Sequence, residues 1–100
     1  MANGLMIVES RPKSSEELEA FHDWYDRVHV PELLQVEGFV SARRLAAHGD
    51  DSFVAVYEIE GDVASAKARL ETALKSGTMS RPVGVQLDPP PTIRYFEPLT

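Results

Sequence analysis

Residues 14–45, SSEELEAFHDWYDRVHVPELLQVEGFVSARRL, run from a helix start, through a proline, into the beginning of a strand. Ser14 and Glu17 stand at capping-box spacing, and the acids at 16 and 17 suit the positive end of a helix dipole. At 100° per residue, Leu18, Phe21, Tyr25 and Val28 fall on one side of the helix. Glu19, Ala20, Asp23, Asp26 and Arg27 fall on the other, so the helix is predicted to lie against a core. Pro31 lacks an amide hydrogen and bars a regular helix through Val30, where the helix is expected to end or kink. A short turn restarts with Pro31 at its first position, and Gly38 closes it.

From Phe39 the period changes to two. Over residues 39–47 one predicted face carries Phe39, Ser41, Arg43 and Leu45, and the other Val40, Ala42, Arg44 and Ala46. His48-Gly49-Asp50-Asp51 is hairpin chemistry, which pairs this strand antiparallel with residues 52–60. That strand's faces are Phe53, Ala55, Tyr57, Ile59 and Val54, Val56, Glu58, Glu60. Upstream, Leu5 to Val8 is a short apolar run read as a first strand ending near Arg11. Downstream, Asp62 is placed to cap a second helix from Val63 to about Lys75, ended by Gly77. Residues 78–91 hold four of the seven prolines and read as irregular, before a last strand at Ile93 to Phe96.

The order is β-α-β-β-α-β, an α+β ferredoxin-like unit with a four-stranded antiparallel sheet and both helices on one face. The 100 residues are read as one domain. Helices on one side leave the other sheet face uncovered while its strands are apolar on both faces. A homodimer packed face to face is the simplest cover.

The formal net charge of -6, with no long basic block, argues against nucleic-acid partners. There are no cysteines, hence no disulfide, thiolate metal site or cysteine nucleophile. No apolar run approaches the roughly 20 residues that span a bilayer, and the first residues lack a signal-peptide pattern. A cytoplasmic protein without membrane contact is the expectation. Phosphate-binding glycine loops, nucleophile elbows and His-Glu-x-x-His are absent from the sequence.

Residues 24–33, WYDRVHVPEL, followed by Gly38-Phe39-Val40-Ser41-Ala42-Arg43-Arg44, resemble the EthD-like family of the dimeric α/β-barrel superfamily. The shared pattern is an aromatic residue, a spacer, His, an apolar residue and Pro, then Gly-Phe leading into the second strand. The motif covers roughly a quarter of the chain. The resemblance implies a homodimeric barrel with a small-molecule pocket between each sheet and its helices, and it carries over best to His29. The wider superfamily includes polyketide cyclases, lactone isomerases, haem-degrading proteins and cofactor-free quinone-forming monooxygenases.

His29 is the leading catalytic candidate, because an imidazole exchanges protons near neutral pH. Its structural alternative is to cap the kinked helix, giving a ring N–H to a carbonyl freed by Pro31. Tyr25, one turn earlier, is a second catalytic candidate or a core aromatic with its hydroxyl at the rim. His22, Trp24, Arg43 and Arg44 are candidates for binding substrate. Arg43 and Arg44 point to opposite sheet faces, and the spacing does not say which meets the pocket. Glu32 is placed to pair with one of them, to polarise His29, or simply to face solvent. His22 and His29 lie within roughly 20° around the axis but about 10 Å apart along it, too far for one metal ion joined by Asp26. No metal and no cofactor are therefore expected. His48 reads as solvated. The expected function is a cofactor-independent enzyme for a small, oxygenated, largely apolar molecule, working by proton transfer or cofactor-free oxygenation. The alternative is a non-catalytic small-molecule-binding protein.

Overall fold

A computed structural model describes residues 3–99. Four strands, β1 (Gly4–Ser10), β2 (Phe39–Ala46), β3 (Phe53–Ile59) and β4 (Thr92–Phe96), form one antiparallel sheet in the order β2-β3-β1-β4. Between β1 and β2 come a single 3₁₀ turn (Ser15–Glu17), α1 (Leu18–Trp24), a π-helical turn (Tyr25–His29) and α2 (Val30–Leu33). Between β3 and β4 lies α3 (Val63–Lys75). This is the expected ferredoxin-like α+β arrangement, with each predicted strand within two residues of its place.

The core forms where one sheet face meets the helices. Met6 and Val8 of β1, Ala55, Tyr57 and Ile59 of β3 and Phe39 of β2 pack against Leu33 and against Val63, Ala66 and Leu70 of α3. A second cluster joins Phe21, Trp24 and Tyr25 to Val85, with Phe53 packed alongside. Asp62 caps α3 as expected, accepting the Ser65 amide at 3.0 Å.

Three local expectations are corrected. Ser14 makes no side-chain cap bond; its carbonyl accepts the Glu17 amide, and the helix opens in the tighter 3₁₀ form. Pro31 does not end the helix. The backbone stays helical through it because the preceding turn widens, with the Val30 amide reaching the Tyr25 carbonyl five residues back. In β2 a bulge between Phe39 and Ser41 breaks the alternation, so buried Phe39 falls on the same side as Ala42 and Arg44, with Val40 half exposed. Past the bulge, Ala42 and Arg44 take the helix side and Ser41, Arg43 and Leu45 the other.

Residues 78–91 are irregular, as read, yet they are held. Lys13 donates to the Gly84 carbonyl at 2.7 Å and Gln86 to Arg11 at 2.9 Å. Gly84 has φ +72 and lies so close to the Phe21 backbone nitrogen that a Cβ would sit 2.9 Å from it. This contact seats Val85 on the aromatic cluster. Among the described residues no helix is long and apolar enough to cross a membrane.

Candidate functional site

The widened turn decides the geometry around His29. In an α-helix, residues five apart point about 140° away from each other. In a π turn the hydrogen bonds run i to i+5, which sets such residues one above the other. Trp24 and His29 accordingly stack, with ring centroids 4.4 Å apart and 15° between planes. Tyr25 meets both rings edge-on, at 5.0 Å from Trp24 and 5.4 Å from His29.

The polar atoms of this group are incompletely paired. Tyr25 is buried and its hydroxyl shares a 2.8 Å hydrogen bond with Ser10 Oγ of β1. Trp24 Nε1, His29 Nδ1 and the hydroxyl of Tyr57 are buried without a partner. Each unpaired buried polar atom costs about 1–3 kcal/mol, so a bound group that paired with these atoms would recover part of that cost. His29 Nδ1 therefore does not cap a carbonyl freed by Pro31.

The titrations follow the burial. Removal from water pushes the His29 pKa down to about 4, against a smaller upward pull from Glu32, so the ring is neutral at pH 7. Burial raises Tyr25, opposed by its Ser10 bond and by Arg44. Burial also raises Tyr57 well above the ordinary phenol range, with the neighbouring Tyr25 adding and Arg44 opposing.

Arg44 is the arginine on the helix side. Its guanidinium stands 4.8 Å over the Tyr25 ring and 5.5 Å from that of Phe21. Outward, it donates from Nη2 to His22 Nδ1 at 3.1 Å and from Nη1 to Asp26 Oδ1 at 2.9 Å. Arg43 is exposed on the opposite face, away from this group. Among the described residues no cluster could hold a metal ion. His22 and Asp26 instead share Arg44, while His29 lies against Trp24. Glu32 turns to Ser80 in place of either arginine. It accepts from the Ser80 amide at 2.8 Å and the Ser80 hydroxyl at 2.7 Å, which hold its pKa below the usual carboxylate value. His48 is exposed, as read.

The expected space between sheet and helices is occupied by the two apolar clusters. Open recesses lie at the surface. One of about 300 Å³ sits outside Arg44, lined by His22, Asp26, Arg44, Leu45, Ala46 and Phe53. A larger one of about 630 Å³ lies between α2 and α3, away from His29, with Glu32, Val36, Thr72 and Met79 in its walls.

Two participants were not singled out from the sequence. Ser10 gave no signal. Tyr57 did: a tyrosine alternating with Phe53, Ala55 and Ile59 on a buried face needs a partner for its hydroxyl.

No protein-family model matches the chain, and no curated protein sequence matches it. In fold it is similar to a monooxygenase from the gene ActVA-Orf6 of Streptomyces coelicolor, solved in complex with the ligand nanaomycin D. The TM-score is 0.59 at 14% identity, over 99% of this chain and 89% of that one. It is also similar to a candidate monooxygenase from Shewanella loihica PV-4, with a TM-score of 0.55 at 16% identity, over 100% of this chain and 98% of that one. The shared architecture is the four-stranded antiparallel sheet with helices on one face. At these identities the likeness establishes the fold alone.

Proposed function

We propose that this chain is a small-molecule enzyme that needs no cofactor and whose reaction begins by taking a proton from a phenol or enol. The supporting observation is the pair of unpaired polar atoms on the ring stack, Trp24 Nε1 and His29 Nδ1, beside Tyr25, with Arg44 over the Tyr25 ring and the unpaired Tyr57 hydroxyl near enough to feel both. His29, neutral at pH 7, receives the proton. Arg44 and the Tyr25 hydroxyl stabilise the oxyanion left behind, in a site from which water is excluded. The resulting carbanion-like ring closes, isomerises or reacts with dioxygen. In the last variant a phenol becomes a quinone: one oxygen atom stays as the new carbonyl, the other leaves as water, and the substrate supplies all four electrons. The two monooxygenases of like fold favour that variant as an analogy.

The EthD-like motif makes His29 the first residue to replace. Native mass spectrometry of freshly purified protein comes first, to find a retained small molecule. Polyketide-like phenols and naphthols are then assayed for oxygen uptake and product. His29→Ala lowers kcat/KM by about 10²-fold, the low end for a general base. Tyr57→Phe removes an unpaired hydroxyl, so it keeps or raises thermal stability while weakening turnover. Folded His29→Ala protein with full activity would falsify the proposal.

A second reading, a binding protein without turnover, draws on the depressed basicity of His29, which suits a stacking ring better than a strong base. It predicts a ligand retained unchanged, and affinity lost equally in all solvents and oxygen levels.

A further inference from the structure

The tyrosines of this site are buried, while His29 is half-buried. Tyr57 is 0% exposed and Tyr25 3%, yet Arg44, whose guanidinium covers Tyr25, has 16% of its side chain exposed. Arg44 thus stands between packed rings and an open recess. On its inner side are the rings of Tyr25 and Phe21 and the unpaired Tyr57 hydroxyl, which senses the arginine's charge. On its outer side is the recess of about 300 Å³.

The walls of that recess have a definite chemistry. The Phe53 and His22 rings meet edge-on at 4.7 Å, Leu45 and Ala46 add apolar surface, and the guanidinium is its cation. Such walls take a flat aromatic body with one anionic oxygen group.

We infer that this recess is a binding site for such a ligand, with Arg44 held by Asp26 and His22 as a latch that opens when the ligand's carboxylate or phenolate takes Asp26's place. The ligand class rests on the proposed function. The strength of the latch fits the role. Asp26 is 61% exposed, and ion pairs of that kind contribute at most about 1 kcal/mol. A ligand oxygen in a drier position competes successfully with it. The contact to His22 Nδ1 requires a neutral imidazole, since Arg44 can only donate. An imidazolium there would repel the guanidinium. The groups that meet His22 are Arg44 from β2, with the Phe21 and Phe53 rings on either side, and Asp26 is the acid at the same guanidinium.

The test is calorimetric titration at pH 7.5 with 1-hydroxy-2-naphthoate and its methyl ester, following Trp24 emission in parallel. Asp26→Asn frees the guanidinium and tightens the acid about fivefold, which is ~1 kcal/mol, leaving the ester unchanged. Arg44→Met abolishes the preference for acid over ester. Asp26→Asn binding the acid no better than wild type, while Arg44→Met still loses it, overturns the latch and keeps Arg44 as a ligand group. Latch behaviour with no change in Trp24 emission upholds the latch at the recess and overturns the ring stack as part of the same site. Failure of both probes to bind overturns the ligand class.

Discussion

His29 shows how far one residue can be read before its surroundings are known. The His-x-Pro pattern pointed to it, and its seven-residue spacing from His22 excluded a shared metal ion. Neither could give its titration, which depends on the stack with Trp24 and on burial under the sheet. Because the folded pKa is about 4 and the ordinary value 6.5, the unfolded chain binds a proton between these values that the folded chain does not. Stability contributed by the neutral ring is complete above pH 6.5, falls as pH drops toward 4, and levels off below. The shift corresponds to at most about 3 kcal/mol. His29→Phe keeps an aromatic ring against Trp24 and cannot titrate. Urea unfolding of the two proteins from pH 7 to 4 should show a slope in the wild type that the variant lacks. Parallel curves would mean that His29 is far better solvated than its packing implies.

At the scale of elements, the strands and α3 were legible because period and punctuation agree: Asp62 caps, Gly38 turns, and the hairpin residues separate two alternating runs. The misread segments are those where a tertiary demand overrides a local rule. The β2 bulge sets Phe39 on the same face as Ala42 and Arg44, which strict alternation cannot foresee. The π turn answers two demands together. It relieves the clash that Pro31 would make with the carbonyl four residues back, and it brings residue 29 over residue 24. Arg27 is the outward residue of that turn, with 81% of its side chain exposed and a loose 3.8 Å contact to Asp23. Deleting Arg27 removes the extra residue and puts Trp24 and His29 at i, i+4 spacing, but returns the proline ring to a regular helix. The deletion alone should cost about 3 kcal/mol, and combining it with Pro31→Ala should restore most of that. Denaturant midpoints of the single and double variants check this. A harmless single deletion would show that the proline is not the cause of the π turn.

For the whole molecule, the uncovered sheet face carries the largest consequence of the fold. Helices cover only one side, and the other presents Leu5 and Ile7 of β1, Val54 and Val56 of β3, Leu45 of β2 and Phe96 of β4. Strand register places Ile7 opposite Val56 and Leu45 opposite Val54, so these side chains form one continuous apolar surface near the sheet centre. Glu9, Glu58, Arg43 and Arg94 surround it, a polar rim about an apolar middle. A specific interface takes about 800 Å² from each partner, a modest share of this chain's 6649 Å² and within what one face of four strands supplies. Burying that face against a second copy is the expected state in solution. Val56→Glu, at the centre between Ile7 and Arg43, puts a carboxylate from each chain into the apolar middle of the interface. It should yield monomer by native mass spectrometry and sedimentation at micromolar concentration, where the wild type should run as a dimer. The helix-side cluster of Trp24 and Tyr25 is remote from the change, so Trp24 emission should stay the same in the monomer. Wild type running as a monomer, or Val56→Glu as a dimer, would remove this face as the interface and leave its apolar residues unexplained.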